Sequence, residues 1–192
     1  MLLYVSLLKA IVMYGLVNKA IKDLVVTRHG EEKWNEICAS AGFAEGDFVG
    51  MNAYPDSLTY DLVKHASRIL TADANDILEA FGEYWITYTA EEGYGYLMEL
   101  SGDTFPEFLG NLDMLHLRIS GIMPHLEPPQ FTTRNVLDQS LELEYRSKRP
   151  GLTPMLLGLI KGLGKRFGIE CTVKQIEFME ENGDCHVFLI SW

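Results

Sequence analysis

Pro128-Pro129 divides the chain into two parts whose apolar residues follow different periods. Two consecutive prolines lack backbone N–H donors and fix φ, so neither a helix nor a central strand runs through them. From Met13 to about Ile122 the apolar spacing is helical, in LVNKAIKDLV, TYDLVKHASRIL, NDILEAFGEYWITY and FPEFLGNLDMLHLRISGIM. Asp56-Ser57 and Asp73 stand where N-caps belong, and Pro106 suits the first turn of the helix that carries FLGNLDMLHLRI. Beyond the prolines, SLELEYRS alternates like a strand and LTPMLLGLIKGLGKRF reads as a helix. IECTVKQIEFM and CHVFLISW read as two strands joined by a hairpin turn at Asn182-Gly183. Helices first and strands afterwards predict an α+β fold with an antiparallel sheet.

The 192 residues carry 47% hydrophobic and 22% charged side chains, which excludes disordered and fibrous classes and allows one sizeable core. The net charge of −11 argues against nucleic acid as a partner, because a duplex-binding surface needs clustered cations. Cys38, Cys171 and Cys185 are too few and too scattered for a disulfide framework, so a reducing, cytoplasmic location is expected. MLLYVSLLKAIV has no leading cation run and no A-x-A site, and its apolar stretch is too short to span a bilayer. Residues 1–12 therefore read as an extension before a single domain over 13–192, with no membrane partner expected. Charge is uneven: ten acids and no Lys or Arg lie between Ile69 and Leu117, whereas Tyr145 to Lys174 hold seven Lys/Arg and one acid. Either these are two differently solvated faces, or the basic segment receives an anion.

Tyr145, Ser147 and Arg149 leave the strand SLELEYRS with the i, i+2, i+4 spacing that places side chains on one face. Two hydroxyls and a guanidinium fork match a carboxylate or phosphate. The same five residues also suit a surface strand of mixed polarity. His116 sits in an apolar stripe, with Leu112, Ile119 and Met123 at helical spacing from it. It is either a core histidine bonded to a carbonyl or a neutral imidazole ligand to a metal. No Cys or His nearby completes a tetrahedral zinc site, whereas haem iron needs one axial protein ligand. Haem also carries two carboxylates of the kind the Tyr-Ser-Arg trio fits.

At these residues the chain resembles the haem nitric oxide/oxygen binding (H-NOX) family, related to the haem domain of soluble guanylate cyclase. The resemblance runs from Met13 to Trp192. It includes the opening Met13-Tyr14-Gly15, the proximal His116, the Y-x-S-x-R clamp at Tyr145, Ser147 and Arg149, and Pro129 in EPPQ. FGEYWITYT and GLTPMLLGLIKGLGKRF look like cyanobacterial members. The resemblance implies haem b between a helical lobe (about 13–75) and a C-terminal lobe (about 76–192) with a four-stranded antiparallel sheet. It implies a gas sensor that is not an enzyme and has no catalytic residues. It also implies a separate signalling protein as partner, a histidine kinase or a cyclic-dinucleotide enzyme. His116 would bind iron, Tyr145, Ser147 and Arg149 the propionates, and Pro129 the ring face, with Val17, Trp85 and Met155 on the distal side. Oxygen-binding members carry a distal Tyr where this chain has Pro154. An apolar distal wall favours NO and CO over stable O₂, although Trp85 retains one N–H donor.

Two other functions compete. A haem peroxidase or oxygenase needs a distal acid or base, and Val17, Trp85, Pro154 and Met155 supply none. A haem-free binder of an apolar carboxylate would use the same trio. The glycines of GLIKGLGKRF lack a P-loop GK[ST], and Cys171, Cys185 and His186 are poorly spaced for a metal.

Overall fold

A computed structural model describes residues 12–43, 48–179 and 184–192. Most of the expected N-terminal extension and the expected Asn182-Gly183 turn lie outside those residues. The chain begins with strand β1 (Val12–Tyr14), followed by helices α1 (Gly15–His29) and α2 (Glu31–Ala41). Strand β2 (Ala53–Pro55) pairs antiparallel with β1, Met13 opposite Tyr54. Gly15 is required where β1 meets α1, because a Cβ there would sit 2.2 Å from the Val49 carbonyl oxygen. Helices α3 (Asp56–Leu70) and α4 (Ala74–Thr89) follow, and a π-helical turn (Ala90–Tyr94) leads into α5 (Gly95–Glu99). Asp73 caps α4 by accepting the N–H of Asn75 at 2.8 Å. Asp56 does not cap: it is the first residue of α3 itself, after Pro55, and its side chain is engaged elsewhere.

The expected helix over 105–123 is two helices, α6 (Phe105–Gly110) and α7 (Leu112–Ser120). The break falls at Asn111, whose amide Nδ2 donates to the Ser101 carbonyl at 3.0 Å and draws the backbone out of helical geometry. After the two prolines come β3 (Gln130–Leu137), β4 (Ser140–Arg146), α8 (Thr153–Arg166), β5 (Thr172–Glu177) and β6 (His186–Ser191). These four strands form one antiparallel sheet in the order β3-β4-β6-β5. The fold is α+β, as the order of periods predicts.

Two buried apolar clusters hold the chain together. One joins α1, α2 and α3 through Leu24, Trp34, Ile37 and Leu62, and takes in Phe81 and Tyr88 of α4 and Met123. The other joins the sheet to α6 and α8 through Phe105, Phe108, Leu143, Ile160 and Phe188, and takes in Ile86 of α4. Helix α4 therefore contributes to both. It crosses α8 at backbone contact distance: a Cβ on Gly82 would meet the Met155 oxygen at 2.0 Å, and one on Gly158 the Glu79 oxygen at 1.9 Å. The glycines of α8 thus serve helix packing. Cys38, Cys171 and Cys185 are free thiols. No helix among the described residues is long and apolar enough to cross a membrane.

Candidate functional site

A cavity of about 270 Å³ opens where the two clusters meet. Its wall is overwhelmingly apolar, with Ile21, Val63, Phe81, Ile86, Leu115 and Leu156 among the lining residues. A water molecule is stable in a protein interior when it has two to four polar partners, and this wall offers few. The space is suited to an apolar ligand with a polar end, because Glu127, Ser147 and Arg149 also border it.

All eight residues singled out in the sequence line this one cavity: Val17, Trp85, His116, Pro129, Tyr145, Ser147, Arg149 and Met155. They come from seven parts of the fold. Val17 lies in the first turn of α1, Trp85 on α4, His116 on α7 and Met155 near the start of α8. Pro129 precedes β3, Tyr145 lies on β4, and Ser147 and Arg149 follow it. Pro154, by contrast, does not border the cavity, whereas its neighbours Leu152 and Met155 do.

His116 is not bonded to a carbonyl through Nδ1. That nitrogen is buried and has no hydrogen-bond partner. Burial pushes the imidazole pKa below its ordinary value, so the neutral, metal-ligating form prevails. The ring lies nearly parallel to Phe131, with centroids 5.6 Å apart, and Phe131 in turn faces Tyr145 at 5.5 Å. The second contact follows from the register of the sheet, in which Phe131 and Tyr145 are directly opposed. An unbonded imidazole at the edge of an apolar cavity fits a haem iron in need of one protein ligand.

The clamp is more elaborate than its sequence motif. Arg149 Nε donates to Asp56 at 2.7 Å, Nη1 to the Glu127 carbonyl at 2.6 Å, and Nη2 to the Val12 carbonyl at 2.9 Å. Three of the five guanidinium donors thus tie β1, α3 and the segment before β3 to one point. Two donors remain for a ligand carboxylate. Ser147 Oγ accepts the backbone N–H of Arg149 at 3.0 Å, which fixes the turn that brings Arg149 inward. Burial pushes the Tyr145 phenol pKa up, against the opposing influence of Ser147 and Arg149, so Tyr145 remains a protonated donor.

The haem-NO-binding family matches residues 14–175, which include the whole cavity apart from Val12 and Met13. The chain belongs to that family. The match reaches from the end of β1 into β5. Among relatives, the soluble guanylate cyclase gcy-32 of Caenorhabditis elegans is 33% identical over 165 residues, 84% of this chain and 24% of that protein. The soluble guanylate cyclase 89Db of Drosophila melanogaster is 24% identical over 166 residues, 86% of this chain and 25% of that protein. The chain thus spans about a quarter of the length of these curated relatives. The crystal structure of an H-NOX protein from S. oneidensis in the Fe(II)NO state superposes with a TM-score of 0.84 at 20% identity, covering 93% of this chain and 98% of that one. An unliganded Fe(II) H-NOX mutant from K. algicida gives 0.76 at 23% identity, with coverage of 93% and 96%. These likenesses establish an H-NOX fold.

Sequence reasoning missed Asp56. It reads locally as a cap, and nothing in its neighbourhood signals a partner 93 positions away. It also missed Phe131, the ring between His116 and Tyr145. Among the described residues no group of three or more His, Cys, Asp or Glu is placed to hold a metal ion. His186 is engaged by the Gln175 amide at 3.0 Å and the Met179 N–H at 3.2 Å.

Proposed function

We propose that residues 13–192 form a single haem b-binding sensor domain for NO and CO, and that it does not hold O₂ stably. The observation that carries this reading is a buried, neutral imidazole, His116, in the wall of an apolar cavity that Tyr145, Ser147 and Arg149 also line. A neutral imidazole in such a wall is suited to bind a metal. Haem would supply an iron able to bind a diatomic gas, and His116 would be its protein ligand. Tyr145, Ser147 and the two remaining Arg149 donors would receive the propionates, and Pro129 would pack against the group. Val17, Trp85 and Met155 face the gas, with no carboxylate or imidazole among them to move protons, which favours sensing over peroxidase or oxygenase chemistry.

In this reading the signal is release of His116 when NO binds. Helix α7 then relaxes, and the cluster built on α1–α3 rotates against the cluster built on the sheet. Arg149 is the natural pivot, since it bonds to β1, α3 and the segment before β3. The population shifts only if the two arrangements bind NO with different affinity. The output passes to a separate signalling protein, a histidine kinase or cyclic-dinucleotide enzyme, in a cytoplasmic setting.

An absorption spectrum of the ferrous protein tests the reading. A Soret band that shifts with NO and with CO, and no lasting oxygenated spectrum in air, is the expected result. A persistent oxygenated form would overturn the discrimination against O₂. Absence of a Soret band after haem supplementation would leave a haem-free carboxylate binder, and sustained turnover with peroxide would reinstate an enzyme.

A further inference from the structure

Helix α4 carries a run of aromatic rings that leads from the cavity to the surface. Trp85 lines the cavity. Its ring stacks on buried Tyr88, with centroids 6.3 Å apart and planes 26° from parallel. Tyr88 in turn faces Tyr84, with centroids 5.9 Å apart and planes at 40°. Tyr84 borders a separate surface cleft, and its hydroxyl donates to the Asp23 carboxylate on α1. The spacing is helical, i to i+3 and i+4, and packing reasons account for aromatic residues there. At the outer end of the run a phenol on α4 is held against an exposed carboxylate on α1.

We infer that Trp85, Tyr88 and Tyr84 form a relay that carries one oxidising equivalent out of the cavity to Tyr84, whose proton passes to Asp23. This inference rests on the haem reading for its source of oxidant, hydrogen peroxide reacting in the cavity. Indole and phenol are among the side chains most readily oxidised by one electron. Electron transfer falls off exponentially with gap, so three rings in near contact offer a continuous path. A phenol that loses an electron becomes strongly acidic, so the terminal residue of such a path needs a base in contact. Asp23 is that base. Before oxidation both phenols are protonated at neutral pH: burial and Asp23 push Tyr84 up, and burial with Glu92 pushes Tyr88 up to about 12.

Peroxide takes two protons from solvent and two electrons and leaves as two waters. One electron would come from the ferrous iron of the haem reading, which is left ferric, and the other comes from Trp85, which is refilled by Tyr88, which is refilled by Tyr84. The Tyr84 O–H proton moves to Asp23, and Tyr84 remains as a neutral phenoxyl radical at the surface. The cavity wall, Met155 included, is thereby spared one oxidation.

Two measurements test the relay. In the first, the haem-loaded protein is treated with hydrogen peroxide and a spin trap, and adducts are located by peptide mass spectrometry. Tyr84 should be labelled ahead of Tyr96, although Tyr96 is 68% exposed, and Tyr88→Phe should lower the Tyr84 adduct severalfold. Labelling that follows exposure, with Tyr96 ahead, overturns the relay. In the second, haem-free protein is oxidised by azide radicals in pulse radiolysis, and tryptophanyl absorbance is followed as it converts to tyrosyl absorbance. Trp34 packs on Phe48 and Trp192 on Phe105, whereas Trp85 packs on Tyr88. The conversion should therefore slow severalfold in Trp85→Phe and in Tyr88→Phe. An unchanged rate in Tyr88→Phe sinks the relay alone, and a missing Soret band sinks the haem reading alone.

Discussion

Asp113 Oδ1 accepts the backbone N–H of Phe131 at 2.7 Å. Asp113 lies in the first turn of α7, three residues before His116, and Phe131 lies on β3 with its ring against the His116 imidazole. One hydrogen bond and one ring contact therefore fasten the same helix to the same strand. β3 is paired with β4, so a shift of α7 reaches Tyr145 through Phe131 without crossing a loop. Asp113→Ala leaves the partly buried Phe131 N–H without an acceptor, at about 1–3 kcal/mol. Urea unfolding should show that loss, and Asp113→Asn, which keeps an acceptor oxygen, should recover most of it. Equal losses in the two variants would show that this bond does not hold α7 to the sheet.

In the proposed reading His116 trades stability for ligand binding. Its Nδ1 is buried without a partner, and an unsatisfied buried polar group is unfavourable by about 1–3 kcal/mol. His116→Leu removes that group at similar volume. The apoprotein should then melt higher, by on the order of 2–4 °C per kcal/mol at this size. The same variant should lose the haem spectrum of the wild type. A lower melting temperature for the apoprotein would mean that His116 makes a stabilising contact instead.

The parts of the fold that bury a regular face were legible in the sequence, and the parts held by partners were not. α4, α8 and β4 carry strong apolar periods, and β4 alternates buried and half-buried residues along its length. β3 carries no such signal: Phe131 is its one buried residue, and it exists because β4 offers a pairing edge. α2 was missed because only Trp34, Ile37 and Cys38 are buried in a segment that opens with two glutamates. The residues of the Y-x-S-x-R motif line one wall of the cavity. Its strand alternation, however, ends at Arg146, and a turn fixed by Ser147 brings Arg149 inward. The Arg149–Asp56 pair joins segments 93 positions apart, a closure that no local pattern encodes.

Arg149 and Asp56 form an ion pair with side chains only 9% and 13% exposed. Removing one member of such a pair strands the other charge, which destabilises by about 3–5 kcal/mol. Arg149→Ala should therefore lower stability and haem retention together, and Asp56→Ala should do the same to a comparable degree. In the double variant neither charge is stranded, so its loss should fall well short of the sum of the singles. Additive losses in the denaturant-unfolding cycle would contradict a direct coupling between the two.

Arg134 gathers three carboxylates of the sheet, donating to Glu142 at 2.7 Å, to Glu144 at 3.1 Å and also to Glu177. The guanidinium holds the Glu142 carboxyl below the usual range. A carboxyl with a depressed folded pKa stabilises the fold above its unfolded pKa of 4.5, and that contribution is lost as pH falls through the folded value. The pair is half-buried on the sheet surface and screened by solvent, so the effect is about 0.2–1 kcal/mol. Arg134→Gln should flatten the decline of stability below pH 4.5 and leave it small at neutral pH. Thermal unfolding across that range checks it, and an unchanged acid limb would remove Arg134 as its cause.

Met155 tests the proposed gas-facing wall most directly. It lines the cavity near the start of α8, and the close crossing at Gly82 and Gly158 fixes α8 against α4. Met155, Val17 and Leu152 all line the cavity, and none of the three carries a hydroxyl. A phenol there would donate to the partial negative charge that develops on bound O₂, an interaction that NO and CO need far less. Met155→Tyr should therefore lengthen the lifetime of an air-exposed ferrous spectrum while leaving the CO spectrum nearly unchanged. Met155→Phe adds comparable ring volume without the donor and separates polarity from crowding. If both variants prolong the oxygenated form equally, shape and not hydrogen bonding governs the choice of gas.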